Sequence, residues 1–111
     1  AIVVLQTFCP WQAHLLELER ARGCEGSVKY VLYEDSKGGW RVQAVPEAEG
    51  SFSSRLPLPE PWRGVRGAEL DKVCGIEGCV FVHAAGFIGG HTTQDGALQL
   101  ARAALAHARA A

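Results

Sequence analysis

Val28-Lys-Tyr-Val-Leu-Tyr-Glu-Asp35, then Ser36-Lys-Gly-Gly39, then Trp40-Arg-Val-Gln-Ala-Val45 is the stretch that decides the fold. Both flanks alternate in side-chain character and are rich in β-branched and aromatic residues, which suits half-buried strands. The four residues between them are turn formers. The stretch reads as an antiparallel hairpin. Its second strand places Trp40, Val42 and Ala44 on one side and Arg41, Gln43 and Val45 on the other.

Toward the N-terminus, Ala1 to Leu5 is a short apolar run with three β-branched residues, suited to a buried strand. Pro10 precedes a helical segment from Trp11 to Arg22. Trp11, Leu15 and Leu18 share its stripe, and Gly23 closes it. Toward the C-terminus, residues 46–66 hold four of the five prolines: Pro46, Pro57, Pro59 and Pro61. Proline fixes φ and lacks a donor, so the segment reads as a stiff, extended surface loop, anchored by Leu56 and Trp62. Ala68 to Val73 forms a short helix, Gly75 to Gly78 a turn, and Cys79 to Ala84 a buried strand. Gly86-Phe-Ile-Gly-Gly-His-Thr92 reads as a glycine-rich loop. The final helix starts near Thr93 and carries Ala97, Leu98, Ala101, Ala104, Leu105 and Ala108 on one face. The order β-α-β-β-(loop, short α)-β-α implies an α+β fold, a mixed sheet of about four to five strands with helices packed on it.

The 111 residues suit one domain, and 48% apolar residues can build a core. Eleven Lys and Arg against twelve Asp and Glu leave a net charge of -1. That excludes a module gripping nucleic acid by bulk positive charge, though not a local site. No apolar run approaches the roughly 20 residues of a membrane helix. The chain lacks methionine and opens on a strand-like run, so it reads as an excised piece of a longer protein. Cys9, Cys24, Cys74 and Cys79 allow two disulfides arithmetically, but a core of this size does not need them. Reduced thiols and an intracellular setting are expected.

The strongest site candidate is the turn between the last strand and the last helix. Gly86, Gly89 and Gly90 permit positive φ and close approach of a ligand. Thr92 or Thr93 can cap the helix, with Asp95 in a variant capping box. Free N–H groups at the helix start favour an anion, and His91 can add a hydrogen bond. The plainer reading is a tight turn whose glycines avoid strain. His83 shares a side with Cys79 and Phe81 if Val80 and Val82 face the other way; a buried histidine bonded to a carbonyl outweighs a catalytic base there. A zinc reading would use Cys74, Cys79, His83 and His91, but the Cys-x4-Cys spacing is loose. Arg41, Arg55, Arg63 and Arg66 lie near Trp40, Phe52 and Trp62 in sequence, a mixture suited to single-stranded nucleic acid. Acidic residues Glu47, Glu49, Glu60, Glu69 and Asp71 offset them, so a solvated face is the alternative. His14 and His107 read as surface helix positions.

Four segments together resemble one family. They are Trp40-Arg-Val-Gln-Ala-Val-Pro46, Gly50-Ser-Phe52, Arg55-Leu-Pro-Leu-Pro-Glu-Pro-Trp-Arg-Gly64 and Gly75-Ile-Glu-Gly-Cys-Val-Phe-Val-His-Ala-Ala-Gly-Phe-Ile-Gly-Gly90. The family is the melanocyte-proliferating-gene family of the DHH phosphoesterase superfamily, also described as metal-dependent protein hydrolases. The resemblance implies a DHH-associated-domain-like fold for residues 1–111, as the C-terminal substrate-binding part of a two-domain protein. It implies a 3′–5′ exoribonuclease of nucleus and mitochondria. It implies a divalent metal, Mn²⁺, held by Asp and His in an N-terminal DHH domain outside this chain, with no metal ligand here. Gly89, Gly90 and His91 match the family's G-G-x-H-type motif, which faces the metal across a cleft. Gly96-Ala97 stands where an Ala-Ala-Gly is often found. The implied site is His91 as catalytic residue, with Gly86, Gly89, Gly90, His91, Thr92, Thr93, Arg63 and Arg66 binding the phosphate and 3′ end of RNA. The partners implied are RNA or nucleotide phosphate and the N-terminal domain, with no membrane and no activity of this chain alone. The alternative is a non-catalytic interaction or regulatory domain that docks through the proline loop. No nucleophile elbow or zinc-protease motif supports peptide cleavage.

Overall fold

The hairpin forms: in the computed structural model Tyr30 lies opposite Ala44, Leu32 opposite Val42 and Glu34 opposite Trp40. The structure describes residues 2–5, 11–23, 26–35, 37–48 and 53–110. Asp35 builds the turn. Its Oδ1 accepts the Lys37 N–H at 2.7 Å and the Gly39 N–H at 3.0 Å. These bonds hold its carboxyl below the usual aspartate range. Gly38 takes the left-handed φ of +85° that the bend requires.

Around this hairpin, β1 (Ile2–Val4), β2 (Tyr30–Glu34), β3 (Trp40–Ala44), β4 (Cys79–Val82) and β5 (Ile88–His91) form one sheet in the order β1-β2-β3-β5-β4. β1 runs parallel to β2, and the other pairs are antiparallel. The helices are α1 (Gln12–Ala21), α2 (Gly67–Cys74) and α3 (Gln94–Ala110), with a short 3-10 turn at Glu60–Trp62. The mixed-sheet α+β expectation holds. One strand was read otherwise: the glycine-rich segment after Gly86 is not a loop, because Ile88–His91 pairs with both β3 and β4.

The sheet has two unlike faces. On the inner face Tyr30, Leu32, Val42, Ala44, Val82, Leu58, Trp62 and Leu70 pack with Ala97, Leu100, Ala101 and Ala104 of α3. Each large side chain fully buried here contributes roughly 1.5–3 kcal/mol. The small residues of α3 let its axis lie close to the strands, as the sequence suggested; Leu100 joins them, while Leu98 and Leu105 are only partly buried. On the outer face Trp11, Val31, Tyr33 and Val45 gather with Leu15, Val3, Leu5 and Val28. The α1 stripe is Trp11, Leu15 and Glu19, since Leu18 is exposed. Glu19 turns inward because Arg55 meets it, in a bidentate pair at 2.7 and 2.9 Å. Gly23 ends the helix at φ +66°.

Residues 53–66 are not a detached loop. Leu58 and Trp62 are core residues, and Leu58 N donates to Gly86 O at 2.8 Å. Gly64 N donates to Val82 O and Val82 N to Val65 O, so this segment covers the free edge of β4. Leu56, expected as an anchor, is only partly buried; Leu58 takes that place. Phe52 lies outside the described residues.

A register shift between Cys79 and Phe81 sets the orientation of β4. Cys79 and Val82 both point inward, whereas Val80 is exposed. Simple alternation, with Cys79 and Phe81 on one side, therefore fails: the bulge adds one residue and turns Phe81 outward. The strand also ends at Val82. His83 is exposed, not buried, and its Nδ1 accepts the Ala85 N–H at 3.0 Å.

Candidate functional site

The strand Ile88-Gly-Gly-His91 presents its two glycines to opposite faces. Gly89 faces inward, where a Cβ would lie 3.1 Å from Leu58 Cδ1 and 3.2 Å from Phe81 O. Gly90 faces outward, where a Cβ would lie 3.0 Å from both Arg41 Nη1 and Phe81 Cε1. These glycines let neighbouring groups close over the strand. Neither has the left-handed φ that the loop reading expected; among the three site glycines only Gly86 does, at +76°.

His91 is buried at 3% exposure. Its Nδ1 accepts the Thr93 N–H at 2.9 Å, and Nε2 donates to Glu77 O. This pattern places the ring proton on Nε2 and engages both nitrogens within the chain. The ring lies against Gly78, where a Cβ would sit 2.9 Å from Cε1. A Cβ at Gly96 would overlap the ring outright. His91 thus joins β5, the 75–78 turn and the first turn of α3. The turn has further support: Asp71 accepts the Cys79 N–H at 2.9 Å and the Gly78 N–H at 3.3 Å, which holds its carboxyl below the usual range.

Thr93 is the helix cap, with Oγ1 accepting the Gly96 N–H at 3.0 Å. Thr92 instead donates from Oγ1 to Gly78 O at 3.2 Å. Asp95 takes no part in a capping box; its carboxylate accepts Gln99 Nε2 at 2.8 Å. Cap and histidine take up the Thr93 and Gly96 N–H groups that an anion was expected to use.

Arg63 lies at the other end of β5. Its Nε donates to Leu58 O at 3.0 Å, and a Cβ at Gly86 would meet that Nε at 2.6 Å. Its terminal amino groups make no bond among the described residues. By strand rise, Gly86 and Thr92 stand well over 10 Å apart. The expected set therefore divides. Gly86 and Arg63 form one end; His91, Thr92 and Thr93 form the other; Gly89 lies beneath Leu58. Arg66 and Gly90 belong to the outer face, where Arg66 bridges to Phe81.

The arginine–aromatic cluster read from sequence also divides. Arg55 is paired with Glu19, Trp40 lies on the inner face, and Trp62 is in the core. Arg41 remains outward. Its guanidinium sits 4.8 Å from the Phe81 ring centroid and 3.4 Å from Asp35 Oδ2. Phe81 is the member that sequence reading missed, because the bulge that turns it outward leaves no mark in the alternation.

Among the described residues no three His, Cys, Asp or Glu side chains come together to hold a metal ion. Cys74 and Cys79 are free thiols with sulfurs 3.5 Å apart, while His83 packs at 4.6 Å, tilted, against Phe87. Burial and the neighbouring Cys74 push the Cys79 thiol well up from its ordinary value. Cys9 and Cys24 lie outside the described residues. No helix among the described residues is long and apolar enough to cross a membrane.

Comparison with known proteins gives one answer. The uncharacterised protein family UPF0160, the MYG1 exonuclease family, matches residues 1–105. The chain is 58% identical over 98 residues to MYG1 exonuclease of Mus musculus, covering 88% of this chain and 26% of that protein. It is 57% identical over 98 residues to MYG1 exonuclease of Homo sapiens, with the same coverage, 88% and 26%. It is 53% identical over 104 residues to a MYG1 protein of Schizosaccharomyces pombe, covering 94% of this chain and 32% of that one. The chain thus spans about a quarter to a third of the length of these relatives. No solved structure matches it.

Proposed function

The chain belongs to the MYG1 exonuclease family, and from that premise we propose that it is the substrate-binding part of a 3′–5′ exoribonuclease of the DHH phosphoesterase type. The observation that carries this reading is the match along nearly the whole chain to proteins named exonuclease, of which it covers only a part. A divalent metal, Mn²⁺, would be held by a separate N-terminal domain and supply an activated water. The protein would act in nucleus and mitochondria. This chain would contribute binding and orientation. Arg63 at the Gly86 turn, whose terminal amino groups make no bond among the described residues, would hold a phosphate, and Gly90 would keep the outer side of the strand thin where RNA approaches. Thr92, exposed beside it, would face the 3′ end. His91 enters as a positioning residue, since both of its nitrogens already bind the chain.

Incubating the 111-residue chain with end-labelled RNA and Mn²⁺ tests the division of labour. No trimming is expected from this chain alone, and protein-dependent shortening of the RNA would refute the proposal. In the longer protein, His91→Ala is expected to lower turnover further than it lowers stability. Wild-type kinetics in a folded His91→Ala variant would remove His91 from the site.

A further inference from the structure

From the pairing register and side-chain contacts we infer that the outer face of β3, β5 and β4 is a docking stripe for a single-stranded polynucleotide, formed by Arg41, Phe81 and Arg66 across Gly90. The inference rests on the exonuclease-family reading and adds to it a surface separate from the buried His91. The pairing partners run in one row: Tyr33 opposite Arg41, Arg41 opposite Gly90, Gly90 opposite Phe81, and Phe81 opposite Arg66. Directly opposed antiparallel residues share a face, so this row emerges on one side of the sheet.

At one end the row is closed, because Tyr33 is buried in the outer-face cluster and its hydroxyl bonds Gln43 Oε1 at 3.0 Å. From Arg41 onward no residue of that cluster covers it; Arg41 and Phe81 are half-buried and Arg66 is exposed. Gly90 brings the pair together. Without a Cβ there, the Arg41 guanidinium and the Phe81 ring meet over the bare backbone as a cation–aromatic pair. Asp35, fixed by two backbone N–H groups, holds Arg41 in that position.

The chemistry selects the occupant. A guanidinium beside an aromatic ring offers surfaces on which any base can stack. Arg66, one strand spacing beyond Phe81, has no acidic partner among the described residues and is free for a phosphate. Arg41 and Arg66 stand about 14 Å apart along the row, three strand spacings, so bases can lie between two phosphate contacts. One local stripe of this kind is compatible with a near-neutral chain, because the stacking does not depend on net charge. A duplex does not fit, since its bases are already stacked and cannot reach the ring.

The test is fluorescence anisotropy of the 111-residue chain with a labelled uridine oligomer of about ten nucleotides. The expected result is saturable binding, weakened roughly tenfold by Phe81→Leu and several-fold by Arg66→Gln, with the salt dependence of Arg66→Gln shallower by about one charge. Arg102→Gln, exposed on α3, is expected to bind as wild type. A thymidine oligomer competing as well as the uridine one supports recognition by stacking and phosphate. A duplex competing as well as the single strand overturns it. Because Arg66 is exposed, Arg66→Gln keeps the test decisive if Phe81→Leu unfolds. If both variants bind as tightly as wild type, or wild type does not bind at about 100 µM, the stripe is refuted. The exonuclease reading would survive either result and is judged separately, by hydrolysis in the longer protein.

Discussion

His91 and Gly96 depend on each other. The imidazole occupies the space that a side chain at Gly96 would fill, so glycine within the first turn of α3 is a packing requirement of the histidine. Gly96→Ala is expected to destabilise by about 2 kcal/mol, because overpacking outweighs the better helix propensity of alanine. In a His91→Ala background the same change should cost nothing or stabilise. A double-mutant cycle by chemical denaturation reads this coupling, and additive effects would show that the ring does not press on α3. Tyr30 is a second case. It is fully buried, and its hydroxyl has no partner among the described residues. Burial alone pushes its phenol up to about 12. Tyr30→Phe removes an unsatisfied polar atom and should leave stability equal or higher by up to about 1 kcal/mol; a clear loss in thermal unfolding would mean that the hydroxyl has found a partner.

Among the elements, α1 and the segment leaving β3 are joined by Glu19 and Arg55, which also donates to Val28 O at 2.9 Å. The Arg55 hydrogen bond, opposed by burial, holds the Glu19 carboxyl below its ordinary value of 4.5. A carboxylate with a lowered native pKa contributes stability that is fully present above the unfolded value and is lost as pH falls through the native one. Glu19→Gln should therefore cost about 3 kcal/mol near neutrality, where it strands a buried guanidinium. The difference from wild type should shrink below about pH 4.5, and urea titrations at several pH values would show it. A pH-independent difference would contradict the ion-pair account. The bulge in β4 is testable at the same scale. Val80→Lys should fold as wild type because Val80 is exposed, whereas Val82→Lys buries an unpaired charge and should abolish folding. Circular dichroism on the two variants checks this, and equal tolerance would place Val82 outside the core.

For the whole molecule, no cluster of three His, Cys, Asp or Glu side chains that could hold a metal ion forms among the described residues. The chain spans about a quarter to a third of the length of its relatives. On the proposed division of labour, joining this chain to the rest of its family's length should create RNA hydrolysis that neither piece shows separately. Mixing the two pieces and following labelled RNA would test this, and full activity in the piece lacking this chain would argue against a binding role.

The hairpin, the helix ends at Gly23 and Gly75, the short α2 and the alanine face of α3 were legible in the chain. Each depends on local conformational preference and apolar period, which neighbouring residues settle among themselves. The family resemblance was legible for a related reason: its motifs are long and contiguous. What folding alone decided were the contacts between distant segments. The residues read as one glycine loop became a central strand because β3 and β4 were both there to pair with it. A four-arginine cluster dispersed, since Arg55 lies closest in space to Glu19, 36 positions away. Phe81 turned outward through one extra residue in a bulge, and His91 was enclosed by two glycines from separate elements. Local propensity sets the elements; which side chains meet is fixed only when the sheet closes, because pairing energy and steric fit arise between strands and not within them.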